Sequence, residues 1–216
     1  MPVETASLAP HIHLARCHDD VVVLDVRADN YALLADAAPM ILLGPGARQV
    51  TVGSEVREDL LTLGLLSNQN VDAPYPAAPG LTGEIVASTT PLPRRLLFGA
   101  AFNSLVSTLT FARTPFADLI EKAARRRTPD RRVSDKEVAR AVGAFLAIHP
   151  WIPFEGDCLQ RGYRLHHHLH CSGIAARWVF GVRTWPFLAH CWVQVGDRVV
   201  ADTQERVSSF SPILVV

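Results

Sequence analysis

The sequence predicts an α+β protein in two parts, and three observations predict it. A β-branched run, Val21–Val26, stands early and is followed by turn chemistry at Ala28-Asp29-Asn30. Five prolines (Pro74, Pro76, Pro79, Pro91, Pro93) then interrupt residues 72–93. Beyond them helical signals come first and three strand-like runs come last. The expected division is 1–70, a connection over 71–93, and 94–216. A chain of 216 residues can hold one generous domain or two small ones.

In the first part, His13–Ala15 reads as a short strand, Val21–Val26 as the next, and Tyr31–Leu34 as a third after the turn. A helix is expected over Asp36–Leu43, ended by Gly44-Pro45-Gly46. Ser54 is a good N-cap, with Glu55 and Glu58 in the first turn and Val56, Leu60, Leu61 and Leu63 on one face, so a second helix is expected to run to Gly64. The first part is thus strands, then helices. Proline fixes φ and has no N–H to give a ladder, so 71–93 reads as an extended connection.

In the second part, Thr114-Pro115 has the order of an N-cap and a first helical proline. Ser134-Asp135-Lys136-Glu137 is a capping box, opening a helix with Val138, Val142, Phe145 and Leu146 on its face and His149-Pro150 at its end. Cys158–Cys171 reads as a helix closed by Gly173. The strand-like runs are Ala176–Val182, Ala189–Val195 and Arg198–Asp202.

Composition excludes several functions. Apolar residues are 49% and charged residues 19%, as in a soluble globular protein. Twenty-one basic side chains balance 21 acidic ones, so no basic surface for nucleic acid is expected. The basic run Arg125-Arg126-Arg127 with Arg131-Arg132 reads as a solvated helix end. The start lacks a targeting signal, and the most apolar stretch, Leu96–Ala112, is broken by Asn103, Ser104, Ser107, Thr108 and Thr110, so no membrane partner is expected. Cys17, Cys158, Cys171 and Cys191 are irregularly spaced, which favours free thiols and a cytoplasmic location.

One constellation carries chemistry. A cysteine nucleophile needs a thiolate, a histidine to hold and relay the proton, and a group that orients the histidine. Cys158 follows Glu155-Gly156-Asp157 and begins a helix, whose N-terminus favours the thiolate. His190 heads the strand Cys191–Val195, and Asp202 ends the next. If Gly196-Asp197 alone closed this hairpin, His190 would face Thr203 and Asp202 would point to the other side. A three-residue loop, Val195–Asp197, or an equivalent bulge, would put His190 opposite Asp202 and leave Cys191, Val193, Val199 and Ala201 on an apolar face. On the residues alone this catalytic reading stands beside a plainer one, in which Cys158 packs and His190 is incidental.

Other groups read as structure. His166 and His170 share a helix face at the i, i+4 spacing of zinc ligands, but no carboxylate accompanies them, so a polar or partly buried face is expected and no metal. Cys17 and Cys191 read as packing. Gly44–Arg48 lacks the Lys-Ser/Thr of a phosphate loop, and no nucleotide fingerprint or other cofactor site is seen.

The run Cys158-Leu159-Gln160-Arg161-Gly162-Tyr163-Arg164-Leu165, with Gly173–Arg177, Gly181-Val182-Arg183 and Pro186–Val193, resembles the transglutaminase-like domain of lasso-peptide B proteins, the leader peptidases of lasso-peptide biosynthesis. The resemblance covers about residues 145–216. It implies a papain/transglutaminase-like cysteine peptidase fold, helices then antiparallel sheet, with Cys158 as nucleophile, His190 as general base and acid, and Asp202 as orienting carboxylate. Cys191 departs from it, standing where alanine is expected. The first part is similar to the winged-helix-like leader-recognition domain of peptide-modifying systems, in which a leader adds as a strand beside the third strand and lies against the third helix. That likeness implies leader contacts at Tyr31, Leu33, Leu34, Leu60 and Leu63.

Together the resemblances imply a fused protein that binds a precursor peptide, removes its leader, and hands the core to an asparagine-synthetase-like cyclase. Two rivals remain open. One is an acyltransferase using the same triad, and the other is a non-catalytic leader-binding scaffold.

Overall fold

The structure is a computed structural model that describes residues 3–44, 48–67, 78–126, 131, 133–151 and 158–216. It divides into two compact units, but not by one cut in the sequence. The first holds residues 1–78, 181–189 and 211–215; the second holds 79–180, 190–210 and 216.

The first unit opens with strands β1 (Val3–Leu8), β2 (Ile12–Cys17), β3 (Asp20–Asp25) and β4 (Asn30–Leu34). These are followed by β5 (Ile41–Leu43), β6 (Gln49–Gly53), helix α1 (Ser54–Thr62) and β7 (Leu66–Ser67). Strands β2, β3 and β4 form an antiparallel meander in which Leu14 faces Val23 and Val23 faces Ala32. A second sheet runs β5-β6-β1-β7. Leu8, Ile12, Leu14, Val21, Val23, Val50, Val52 and Leu60 share one core. Buried Arg48 donates from Nη1 to the Ile12 carbonyl at 2.9 Å and from Nη2 to the Leu8 and Ala9 carbonyls at 3.1 and 3.0 Å, filling acceptors where β1 turns into β2.

Two expectations change here. The helix expected over Asp36–Leu43 is absent: Asp36 takes a left-handed φ of +55°, and Ile41–Leu43 pairs with β6 instead. Pro39 gives the reason, since it removes a donor from the interior of that helix. The unit therefore holds one helix among its described residues, not the helical set of a winged-helix-like domain. That helix begins at Ser54, but its N-cap is Gly53, with no side-chain cap.

The second unit contains β8 (Gly83–Ile85), α2 (Arg94–Arg113), α3 (Phe116–Ala124), α4 (Asp135–Ile148), a short 3-10 turn at His149–Trp151, and α5 (Cys158–Cys171). Strands β9 (Arg177–Arg183), β10 (Leu188–Val195) and β11 (Arg198–Val200), helix α6 (Gln204–Val207) and β12 (Ser211–Val215) complete the chain. The sheet order is β12-β9-β10-β11-β8, with β11 parallel to β8. The 71–93 segment is therefore not a connection throughout, because Gly83–Ile85 forms an edge strand; residues 71–77 lie outside the described residues.

Helix α4 carries the expected capping box: the Ser134 Oγ accepts from the Glu137 N–H, and the Glu137 carboxylate accepts from the Ser134 N–H at 3.0 Å. Helix α2 packs on α4 and α5 and buries Ala100, Ser104 and Ser107. By length and composition alone it could cross a membrane. Arg125 pairs with Glu121 on the surface, as a solvated helix end would, but Arg126 instead lies 5.6 Å above the Tyr163 ring. Arg127 and Arg132 are outside the described residues.

Candidate active site

Cys158 opens α5, whose buried face (Gly162, Tyr163, Leu165, His166, Leu169) fixes the helix in the second unit. The preceding Glu155-Gly156-Asp157 turn lies outside the described residues. His190 comes from β10, and Asp202 from the chain just beyond β11. These residues line one cavity of about 210 Å³, together with Arg161, Gly162, Leu165, Cys191, Val193, Ala201 and Arg206.

The hairpin that carries His190 and Asp202 differs from the expected one. Val193 pairs with Val200, Gln194 with Val199 and Val195 with Arg198, so the turn is the tight Gly196-Asp197 and the three-residue loop is absent. Gly196 has φ +62°, which suits the first position of a two-residue hairpin turn. In this register a regular strand would aim Asp202 away from His190. The chain breaks the alternation elsewhere: β11 ends at Val200, and Ala201 takes a left-handed φ of +56°. That conformation costs an alanine on the order of 1–3 kcal/mol. Arg161, on α5, donates to the Ala201 carbonyl at 3.2 Å and braces the turn. Asp202 thereby reaches His190, with Oδ2 at 2.7 Å from Nε2. The expected apolar face of Cys191, Val193, Val199 and Ala201 also changes, because Val193 faces Val200 while Val199 faces Gln194; Trp192 and Gln194 on that other side are buried as well. Trp192 donates from Nε1 to the Gln194 Oε1 at 3.1 Å.

Electrostatics follow from these contacts. The Asp202 Oδ1 accepts from the Thr203 N–H at 2.9 Å. Burial works to raise the Asp202 carboxyl, but hydrogen bonds from His190 and Thr203 and the charges of His190 and Arg206 hold it below its ordinary value. The hydrogen bond to Asp202, and then the one to Cys158, raise His190 to about 9. Hydrogen bonds from Cys191 and His190 bring Cys158 down to about 4 against the opposing effect of burial. With Nε2 engaged by Asp202, Nδ1 is the ring nitrogen left for Cys158. His190 also packs beside Trp192 and Phe210, at ring separations of 6.2 and 5.4 Å. Between about pH 4 and pH 9 the site therefore holds a thiolate beside an imidazolium, the state a cysteine nucleophile requires.

Residues 104–215, just over half of the chain, match the transglutaminase-like superfamily. The chain belongs to that superfamily. The match spans Cys158, His190 and Asp202. Over 60 residues, 28% of this chain and 29% of the other, the sequence is 42% identical to the microcin J25-processing protein McjB of Escherichia coli. The aligned part is thus less than a third of that relative's length. No solved structure matches.

The residues expected to bind a leader do not come together as the three core site residues do. Tyr31, Leu33 and Leu34 lie on β4, an edge strand of the meander, where Leu33 is 39% exposed. Leu60 is only 4% exposed and belongs to the core of the first unit, so it is corrected from a contact residue to a packing one. Leu63 caps the C-terminus of α1 and is 65% exposed. Helix α1 packs chiefly on β1, β6 and β7, and it shares the core of the unit with Leu14, Val21 and Val23 of the meander.

Cys191, Arg161 and Arg206 are site residues that sequence reasoning missed. Cys191 was legible only as a packing residue. Two histidines of α5 reach backbone carbonyls: His166 Nε2 lies 3.2 Å from the Ala176 carbonyl and His168 Nε2 3.2 Å from the Ala141 carbonyl. Burial lowers both, His166 to about 3. Among the described residues no three potential ligands converge on a metal position.

Proposed function

We propose that this protein is a cytoplasmic cysteine peptidase that removes the leader from a ribosomally made lasso-peptide precursor. The observation that carries the reading is the 2.7 Å pairing of His190 with Asp202 in the cavity lined by Cys158. The partial identity to a microcin-processing protein supports the substrate class.

The Cys158 thiolate attacks the carbonyl carbon of the bond between leader and core. The His190 imidazolium gives its proton to the departing core amine, leaving the leader as a thioester on Cys158. His190, now neutral, takes a proton from water, and the hydroxide releases the leader with a free carboxylate. The Cys158 N–H at the start of α5 is a candidate donor to the oxyanion. Asp202 holds the ring orientation and balances its charge throughout.

The first unit would capture the leader as an added strand on the β4 edge, at Tyr31, Leu33 and Leu34. There main-chain bonds supply affinity and side chains supply selectivity. In this reading residues 1–70 recognise, 94–216 cleave, and an asparagine-synthetase-like cyclase closes the freed core into a macrolactam.

The test is mass spectrometry of a synthetic precursor incubated with the purified protein. Two fragments are expected, the leader one ending in a free carboxylate. Cys158→Ala is expected to abolish cleavage while leader binding persists. Cleavage that survives this substitution overturns the reading. A leader amide joined to an added amine would favour acyl transfer, the other chemistry open to a transglutaminase-like site.

A further inference from the structure

The position that follows the histidine holds a second sulfur. Cys191 is 5% exposed and lines the same cavity as Cys158 and His190. What brings its sulfur to α5 is a missing side chain. A Cβ at Gly162, one helical turn beyond Cys158, would stand 3.2 Å from the Cys191 Sγ and 2.5 Å from the Trp178 Nε1. Any other residue at 162 would push both groups off the helix. The indole edge of Trp178 and the Cys191 sulfur therefore crowd into one spot against the helix that carries the nucleophile. Trp178 is fully buried, and its Nε1 has no hydrogen-bond partner among the described residues.

We propose that Cys191 is a positioning residue for the nucleophile, its S–H donating to the Cys158 sulfur while its own sulfur faces the Trp178 indole N–H. The proposal deepens the peptidase reading and rests on Cys158 being the nucleophile. A thiol is a weak donor to a neutral acceptor. Against a full negative charge in a closed cavity the same bond is charge-assisted, and stabilising the anion lowers the pKa of the thiol that carries it. Burial, together with the neighbouring Cys158, keeps the Cys191 thiol protonated far above neutral pH, so it acts as a donor and not as a competing nucleophile. His190 is the other donor, which leaves Cys158 held between an imidazolium and a thiol. The division of labour is clear: His190 moves the proton, and Cys191 only holds the sulfur.

The experiment follows iodoacetamide alkylation of Cys158 against pH, with residue 158 read by peptide mass spectrometry, in the full chain and in Cys191→Ala, Cys191→Ser and Trp178→Phe. The wild-type midpoint is expected near 4. Cys191→Ala removes the donor and should raise the midpoint by about one pH unit, the scale of one charge-assisted hydrogen bond. Cys191→Ser keeps a donor and should restore most of the shift, a rescue that a purely packing role would not produce. Trp178→Phe should raise the midpoint by less. A low midpoint that does not move in whichever of Cys191→Ala and Trp178→Phe is soluble overturns the proposal and leaves the peptidase reading standing; so does a serine variant that behaves as alanine. A wild-type midpoint near the ordinary 9 would instead remove the activated nucleophile, and with it both readings.

Discussion

The Cys158 corner of the second unit and the β4–α1 region of the first were both expected to be sites, and only one converges. Cys158, His190 and Asp202 come from a helix, a strand and a turn and meet in one cavity. Tyr31, Leu33, Leu34, Leu60 and Leu63 spread over an edge strand, a helix end and a core. The difference lies in chemistry. A thiol, an imidazole and a carboxylate are costly to bury unless they satisfy one another, so their joint presence constrains the geometry. A leucine satisfies a core and a binding face equally well, so its pattern does not say which it serves.

The sharpest way to break the comparison is at the corner. His190→Ala should lower kcat/KM for precursor cleavage by about 10²–10⁴-fold, the range general acid–base groups supply. Asp202→Ala should cost at least about 10²-fold, acting through the orientation of the ring. If Asp202→Ala stays within a few-fold of wild type, the 2.7 Å contact is structural and the corner loses its claim.

The same pair sets the pH response. Cys158 sits near 4 and His190 near 9. As pH falls through about 4 the thiolate gains a proton and the nucleophile is lost. As pH rises through about 9 the imidazolium loses the proton meant for the leaving amine. A bell-shaped kcat/KM with a broad plateau between these limbs is expected in steady-state assays. A single rise near pH 9 would mean that the thiol is not activated.

Legibility followed locality. The Ser134 capping box reads directly because its partners lie three residues apart. Cys158, His190 and Asp202 could be singled out because their groups are chemically scarce. The hairpin register was not: the turn Gly196-Asp197 obeys local chemistry, and parity is corrected at Ala201, where nothing in an alanine announces a left-handed φ. Cys191 was equally hidden, because its role depends on a glycine and a tryptophan that reach it only across helix and sheet. In the first unit, β5 was misread because a three-residue strand carries too few positions to show a period of two. The 42% identity over 60 residues concerns only part of each chain.

Smaller effects sharpen the contrast within the first unit. Leu60 is core, so Leu60→Ala should destabilise by about 2–5 kcal/mol, visible as a lower Cm in urea. At temperatures where the variant stays folded, leader affinity should be unchanged. A loss of affinity without a loss of stability would return Leu60 to the binding face.

Leu33 tests the opposite claim and carries the smallest effect. It sits on the edge strand with 39% of its surface exposed, and it pairs with Val22 on one side only. An added strand would take its affinity mainly from β4 main-chain groups, which no side-chain substitution removes, so the loss should be modest. Leu33→Asp places a charge on the added strand's neighbour and should weaken binding of a fluorescent leader peptide by about five- to tenfold, or about 1 kcal/mol. Urea unfolding should stay within about 0.5 kcal/mol of wild type, because the position is partly solvated already. Leu63→Asp is the matched control: it is exposed on a helix that packs on the other sheet, and it should leave leader affinity alone. If Leu63→Asp weakens binding and Leu33→Asp does not, the leader lies on α1 and not on the β4 edge.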